Sequence, residues 1–524
     1  MSGFNVAAVF SDGCVLQRGK PVRLFGECGD GDRVEARLLL PDGRELAGET
    51  IGKNGRWLVT LGELEACKGL TLLVKCANEE RCFTDVAVGE VWLCGGQSNM
   101  EFELQNCTSG EHHLKNDHPD VRFYYTQKKL MSDEDFFERE AETGWSKFSP
   151  ESAKCWSAVG YIFAEKLSRA LGVTVGLIGC NWGGTSASCW MDEEALGEDC
   201  DTASYLRDYE KAIEGKSREQ QTKEYREYER YADEWNAKYA ELLKIKPGID
   251  WGEAEKALGP NRWPGPMNYL NPFRPSALYH SMLERVCPYT LRGWLFYQGE
   301  SDDHKPNTYY KLFKRMIRSW RDMWQDDAPF LYVQLPGHRY LTEPDYRHWC
   351  LIREAQREVE RDVKDAYMIC AIDAGEPNDI HPKDKEPIGE RLYRLAMHRV
   401  YGLMDASEAE SPQMESVALS SGGAQVKFDC FGGCLTVKGE NIHGFELSGE
   451  DMAFAPASAS LCPDGVSVAL KWDGGTPAYV RYLWTNLPEE VNLYSASGLP
   501  AVPFRTDGEA GKARAGEIRQ VMEL

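Results

Sequence analysis

The chain has 524 residues, more than one compact core usually holds, so two or three domains are expected. Hydrophobic residues make up 42 % and charged residues 27 %, the balance of an ordinary folded protein, and the formal net charge is -23. That charge repels polyanions, no basic run offsets it, and no stretch reaches the roughly 18 uninterrupted apolar residues of a membrane helix, so nucleic acid and membrane are excluded as partners.

Residues 4–88 read as strands. Segments 22–26, 33–38 and 70–74 alternate or run short and apolar, and Gly/Asp turns lie at 29–32 and 41–43. From Val86 the period changes. A short apolar run at 86–93 leads into a Gly-rich turn, and 153–171 carries a helical pattern with Val159, Ile162, Phe163, Leu167 and Leu171 on one face. Strands at 173–178, 291–297, 330–334 and 366–372 then alternate with helices at 309–323, 351–363 and 388–400. This alternation predicts an α/β fold whose mainly parallel sheet is covered by helices on both faces.

Residues 193–274 interrupt that rhythm. Tyr228, Tyr231, Trp235, Tyr239 and Leu242 recur three and four apart, which makes one face of an amphipathic helix. The stripe reads as packing, and the segment as a helical insertion that is a candidate lid. From 411 strands return, at 417–419, 424–428, 466–472 and 480–484. The expected domains are therefore 1–88 (β), 89–410 (α/β, with an insertion at about 193–274) and 411–524 (β). The two β regions are able to pack together, since chain ends often lie close.

Four strand ends carry chemistry-bearing residues. Gly95-Gly96-Gln97-Ser98-Asn99-Met100 follows the first α/β strand, and two glycines there allow a sharp turn into a helix that Ser98 would open. Free N–H groups at such a helix start can hold an oxyanion. Met100 stands where a lipase-type GxSxG elbow needs Gly, so the ordinary α/β-hydrolase pattern is not met. Asn181-Trp182-Gly183-Gly184-Thr185-Ser186 offers bare N–H groups at a second strand end. Tyr297-Gln298-Gly299-Glu300-Ser301-Asp302 offers an amide donor at a third. Asn378-Asp379-Ile380-His381-Pro382 places a His beside a carboxylate at a fourth, the pairing of a base with its orienter. Taken singly, each block also fits a cap or a tight turn. Together they supply nucleophile, donors and base, which matches acyl transfer. Hydride and phosphoryl transfer would need cofactor or phosphate-loop motifs that are absent, and no cofactor is expected.

The 17 Cys lack paired CxxC spacing, so buried free thiols are expected rather than a zinc site. His112, His113 and His118 with Asp117 and Asp120 read as a solvated loop, and no metal is expected. Residues 1–9 lack the basic start and apolar run of a secretory signal, which points to a cytoplasmic protein unless a leader has been removed.

The four blocks resemble those of the SGNH hydrolase superfamily, and more narrowly the sialate O-acetylesterase family of carbohydrate esterases. Phe10–Arg18 and Gly498–Arg505 resemble that family's terminal signatures, so the likeness spans nearly the whole chain. It implies an SGNH-type, flavodoxin-like sheet with flanking all-β regions, and removal of O-acetyl groups from sialic acids. Ser98 would be the nucleophile and His381 the base. The N–H groups of Ser98 and Gly184 (Gly183 if the turn is shifted) and the Gln298 amide would form the oxyanion hole. Asn99 and Glu300 are expected to contact substrate. SGNH enzymes commonly place Asp three residues before the His; here that residue is Asn378, and Asp379 stands two before. Asp379 as orienter, Asn378 as a neutral partner and a bare dyad all stay open, with Asp379 preferred. A sialate carboxylate calls for a cation, and Arg274, where the insertion rejoins the core, is the candidate. Esterases of neutral polysaccharides such as acetylated xylan share these blocks. A non-catalytic sugar-binding protein is the alternative of another class. The oligomeric state is not legible.

Overall fold

The computed structural model describes residues 3–115, 120–246, 249 and 251–508. Its spine is the 18-residue strand Glu79–Gly96, exposed along its first residues and buried from Val86 on. The charged first half (Glu79-Glu80-Arg81) pairs antiparallel with Cys67–Cys76 in a sheet with a wet face. The apolar second half pairs parallel with Val175–Asn181 on one side and Gly293–Tyr297 on the other. A parallel strand covered on both faces must be apolar throughout, and residues 86–96 are so except for Glu90.

Around this spine the sheet runs Trp145–Lys147, Val121–Tyr125, Val175–Asn181, Glu79–Gly96, Gly293–Tyr297, Phe330–Val333 and Ala366–Ile369. All neighbouring pairs are parallel except the edge strand Trp145–Lys147. With the N-terminal strands attached it is a mixed, 11-stranded sheet. The boundary expected at 88/89 thus falls inside one continuous strand. The expected helix 153–171 is divided: Pro150–Ala153 is a separate turn, and Ser157 caps a new helix, Ala158–Leu171, by accepting the Gly160 N–H at 3.1 Å. The helices Tyr309–Trp324, His348–Asp362 and Glu386–Arg399 lie close to their expected positions.

The insertion is helical: Glu193–Gly197, Ala203–Ile213, the 28-residue Arg218–Ile245 and Trp251–Leu258. Its aromatic stripe is packing, as read from the sequence. Tyr231 donates its hydroxyl to the Pro260 carbonyl at 2.6 Å, and Trp235 Nε1 donates to Gly259 at 3.0 Å. The C-terminal β region forms two four-stranded sheets and a two-stranded one. Among the described residues no hydrogen bond or ion pair joins it to residues 3–78. It docks instead on the α/β helices, where Arg505 pairs with Glu354 at 2.7 Å and Arg353 donates to the Asn486 carbonyl. No described helix is long and apolar enough to cross a membrane.

Glu90 explains the N-terminal signature. Fully buried, it receives Gln17 Nε2 at 3.1 Å, Arg18 Nε at 2.6 Å and Arg292 Nε at 2.7 Å. Burial opposes its ionisation, but these donors outweigh it and hold the carboxyl below its usual pKa. Removing one cation leaves a buried charge part-paired. Arg292→Met should therefore lower stability by about 3 kcal/mol, read as a fall in the urea midpoint with an unchanged slope.

Candidate active site

Each of the four blocks sits just beyond the C-terminal end of a parallel strand, where open α/β sheets place their ligands. Gly96 makes the first turn possible. It has φ 132°, and a Cβ there would meet the Tyr297 carbonyl oxygen at 2.1 Å. Gln97 follows, with Oε1 accepting the Ser301 N–H at 3.2 Å. Ser98 then opens the short helix Ser98–Glu101.

Half-buried Ser98 presents Oγ to His381 Nε2 at 2.8 Å, although 283 positions separate them. Burial is the main reason that the His381 pKa lies below its ordinary 6.5. The Lys385 ammonium lowers it further, Asp379 pulls it up, and His338 and Glu101 have smaller effects. A neutral imidazole at neutral pH is the form that can accept the Ser98 proton.

The second block reaches the same point. A Cβ on Gly183 would lie 3.2 Å from Ser98 Cβ. The Gly183 N–H is already given to Glu101 Oε2 at 2.6 Å, whereas the Gly184 N–H makes no hydrogen bond among the described residues. Ser98 N–H lies in the first helical turn, where no preceding turn supplies an acceptor. The N–H of Ser98 and that of Gly184, one residue past the Gly183 that contacts Ser98, are thus both free, an arrangement suited to a developing oxyanion.

A model of one family, described as carbohydrate esterase, sialic acid-specific acetylesterase, matches residues 88–226 and 266–396. The chain belongs to this family. It is 24 % identical to a sialate O-acetylesterase of Mus musculus, over 96 % of this chain and 94 % of the relative. It is 23 % identical to that of Homo sapiens, over 96 % and 92 %. A solved carbohydrate acetylesterase from Xanthomonas citri superposes with a TM-score of 0.75 at 27 % identity, covering 96 % of this chain and 99 % of the other.

The geometry commits several of the residues expected at the esterase's site to other partners. Gln298 is not a free donor. It is 1 % exposed, and its amide nitrogen is given to the Thr185 carbonyl at 3.2 Å and Asp302 Oδ2 at 2.6 Å. Asn99 and Glu300 are buried, 0 % and 4 % exposed, and bonded to each other at 2.6 Å. Asn99 Nδ2 also reaches the Ile380 carbonyl at 2.9 Å, so it ties the Ser98–Glu101 helix to the His381 loop. Asp379 does not hold the imidazole. Its Oδ1 accepts the backbone N–H of His381 at 2.8 Å, the local bond an Asp makes two residues ahead in an Asx turn. Among the described residues no carboxylate oxygen lies within 4.0 Å of a His381 ring nitrogen. Asn378, at φ 62°, turns its Oδ1 to the Leu341 N–H at 2.8 Å and so is not the orienter either.

Arg274 is not drawn to the Ser98–His381 pair. Its guanidinium donates to the carbonyls of Tyr269 (3.4 Å) and Pro275 (3.0 Å), with Glu193 and Tyr209 nearby. His113 is a buried ion-pair residue between Glu165 and Glu386, at 2.7 and 2.8 Å, not a ligand. Asp117 and His118 lie outside the described residues.

Sequence reasoning missed Lys385 and Asp302. Lys385 is 1 % exposed, and its Nζ meets Asn99 Oδ1 at 2.5 Å. Burial pushes its ammonium down to about 8, with Glu300 pulling the other way. Its signal was faint: one Lys four positions after the His, in a charged run. Asp302 gathers four donors inside the core, and only its place in the third block hinted at this.

With the carboxylate on the backbone rather than the ring, Asp379→Asn should keep kcat within about tenfold, against the ~10⁴-fold loss of a ring-bonded triad Asp. Steady-state kinetics on an acetyl ester decide it, and a loss of the larger size would mean that Asp379 reaches the ring during turnover.

Proposed function

We propose that this esterase removes O-acetyl groups from sialic acids through an acetyl-Ser98 intermediate, on an SGNH-type, flavodoxin-like core. The single observation that carries the mechanism is the 2.8 Å contact between Ser98 Oγ and His381 Nε2. Family membership and the near full-length similarity to sialate O-acetylesterases support the substrate.

In the first half-reaction His381 Nε2 takes the hydroxyl proton while Oγ adds to the acetyl carbonyl carbon. The carbonyl oxygen becomes an oxyanion held by the Ser98 and Gly184 N–H groups. Collapse breaks the bond to the sugar oxygen, which leaves as the alcohol with the proton from His381. Water then adds to the acetyl-serine with His381 again as base, releasing acetate and restoring Ser98. Gln298, Asn99, Glu300 and Lys385 position these groups without touching the reacting atoms.

Acetate release from O-acetylated sialic acid and from acetylated xylan tests this directly. The native chain should act on the sialic acid, and Ser98→Ala should lose about 10⁵-fold or more in kcat. Release from xylan alone would keep the mechanism and overturn the substrate, whereas Ser98→Ala with near-native activity would overturn the mechanism.

The pH profile offers a second test. Because burial and the Lys385 cation hold His381 below 6.5, the acid limb of kcat/KM should fall below that value. Lys385→Met removes a cation while Asp379 and Glu101 stay, so the His381 pKa should rise and the acid limb move to higher pH. An unmoved limb would mean that another group controls it.

A further inference from the structure

The stretch between the two family-matched segments, residues 227–265, carries the aromatic stripe and ends in a tight loop. That loop holds Trp263, which is 44 % exposed. Its place is not accidental. The Trp263 N–H is held by Asn261 Oδ1 at 2.7 Å. Fully buried Asn271 donates to the carbonyls of Pro264 (3.1 Å) and Pro266 (3.2 Å) from behind. On the helix side, the Tyr228 ring lies so close to Gly265 that a Cβ there would be 2.4 Å from it. Tyr231 and Trp235 bond the carbonyls of Pro260 and Gly259. The stripe is therefore a splint for this loop.

What the splint holds lies over the reaction centre. The Trp263 indole crosses the Phe273 ring edge to face, centroids 5.3 Å apart, and both rings lie on Gly184. A Cβ on Gly184, whose φ is 79°, would meet Trp263 Cζ2 at 2.5 Å and Phe273 Cε1 at 3.0 Å. The next residue back, Gly183, is the one in contact with Ser98. Phe137 and Trp263 are the aromatic side chains among the exposed large hydrophobics of the described residues, and it is Trp263 that stands against the oxyanion glycine.

An indole half open to solvent and rigidly backed, beside the free Gly184 N–H, leaves apolar surface where the substrate must arrive. The acetyl group is small, so the rest of the ligand extends past Gly184 onto that ring. Pyranose sugars present a face of C–H groups that matches an aromatic plane. We infer that Trp263 is a sugar-binding platform, stacking on the C–H face of the acetylated sugar while its ester lies between Ser98 and Gly184. The insertion is then a specificity wall of the active site. This rests on the reading of Ser98 as the nucleophile of an acetyl-sugar esterase.

Two substrates separate the platform from the chemistry: O-acetylated sialic acid, and methyl acetate, whose leaving group is too small to reach the ring; acetate release is read for both. In the full chain, Trp263→Ala should raise KM for the acetylated sugar by about fivefold or more, with kcat changed less. Its kcat/KM for methyl acetate should stay within about twofold. Trp263→Phe, which keeps a ring, should recover part of the sugar affinity. An unchanged sugar KM in Trp263→Ala overturns the inference. So does an equal loss on both substrates, which would make Trp263 a brace for the Gly184 turn. If the native chain acts on acetylated xylooligosaccharide instead of the sialic acid, the same comparison is read on that sugar. Failure of the mechanistic reading shows separately, as Ser98→Ala that still cleaves methyl acetate.

Discussion

Asp302 carries a carboxylate and has no exposed surface, a position that is stable only when donors surround it. Four do so, from three parts of the chain. Ser186 Oγ (2.6 Å) and Tyr205 hydroxyl (2.7 Å) reach one oxygen; the Ala187 N–H (2.9 Å) and Gln298 Nε2 (2.6 Å) reach the other. A carboxylate has about four acceptor sites, so the set is complete. The glycine turn, the third strand end and the insertion helix Ala203–Ile213 are thereby fixed to one another. Asn99 performs the same service for the remaining two blocks, joining Glu300, the Ile380 carbonyl and Lys385. The reacting groups are held by two buried polar hubs rather than by one another.

On the proposed mechanism, this division explains which residues touch the reaction. A buried amide or carboxylate with every bond committed cannot also serve a transient oxyanion without breaking a stronger network. Gln298 and Asn99 are of that kind. Among the described residues the Ser98 and Gly184 N–H donors are left unpaired, and Ser98 Oγ and the His381 ring bond only each other, so on the proposed mechanism these groups meet the substrate. Glu300 keeps one buried oxygen without a hydrogen-bond partner among the described residues, and its pKa is raised, by burial first. The nearby Lys385 cation then acts on two neighbours, stabilising Glu300 as a carboxylate and His381 as a neutral base.

The chemistry lies in segments shared with the family, whereas Trp263 comes from the stretch between them. Acetyl transfer needs only a few atoms placed within tenths of an ångström, and the parallel strand ends supply that rigidity. Recognition of the remainder of the ligand needs surface, which the insertion adds without disturbing the strands.

The alternation of apolar strands and amphipathic helices in the sequence determined the α/β core, because covered parallel strands must be apolar and the periods of strand and helix differ. The stripe Tyr228–Leu242 determined a helix and its packing face for the same reason. Glycine pairs at strand ends, with Ser98 and His381, marked the candidate site, where the fold brings Ser98 Oγ to His381 Nε2. The boundary at 88 was not legible, because Glu79–Gly96 changes partners without changing conformation. Nor was the role of Asp379: a carboxylate two residues before a histidine can serve either its ring or its backbone, and the turn at Asn378 decided for the backbone. The commitments of Gln298, Asn99 and Glu300, and the place of Lys385 and Trp263, depend on groups brought together from distant positions. Hydrogen-bond partners at such separations are set by how the strand ends and the insertion pack, and only the tertiary structure decided them.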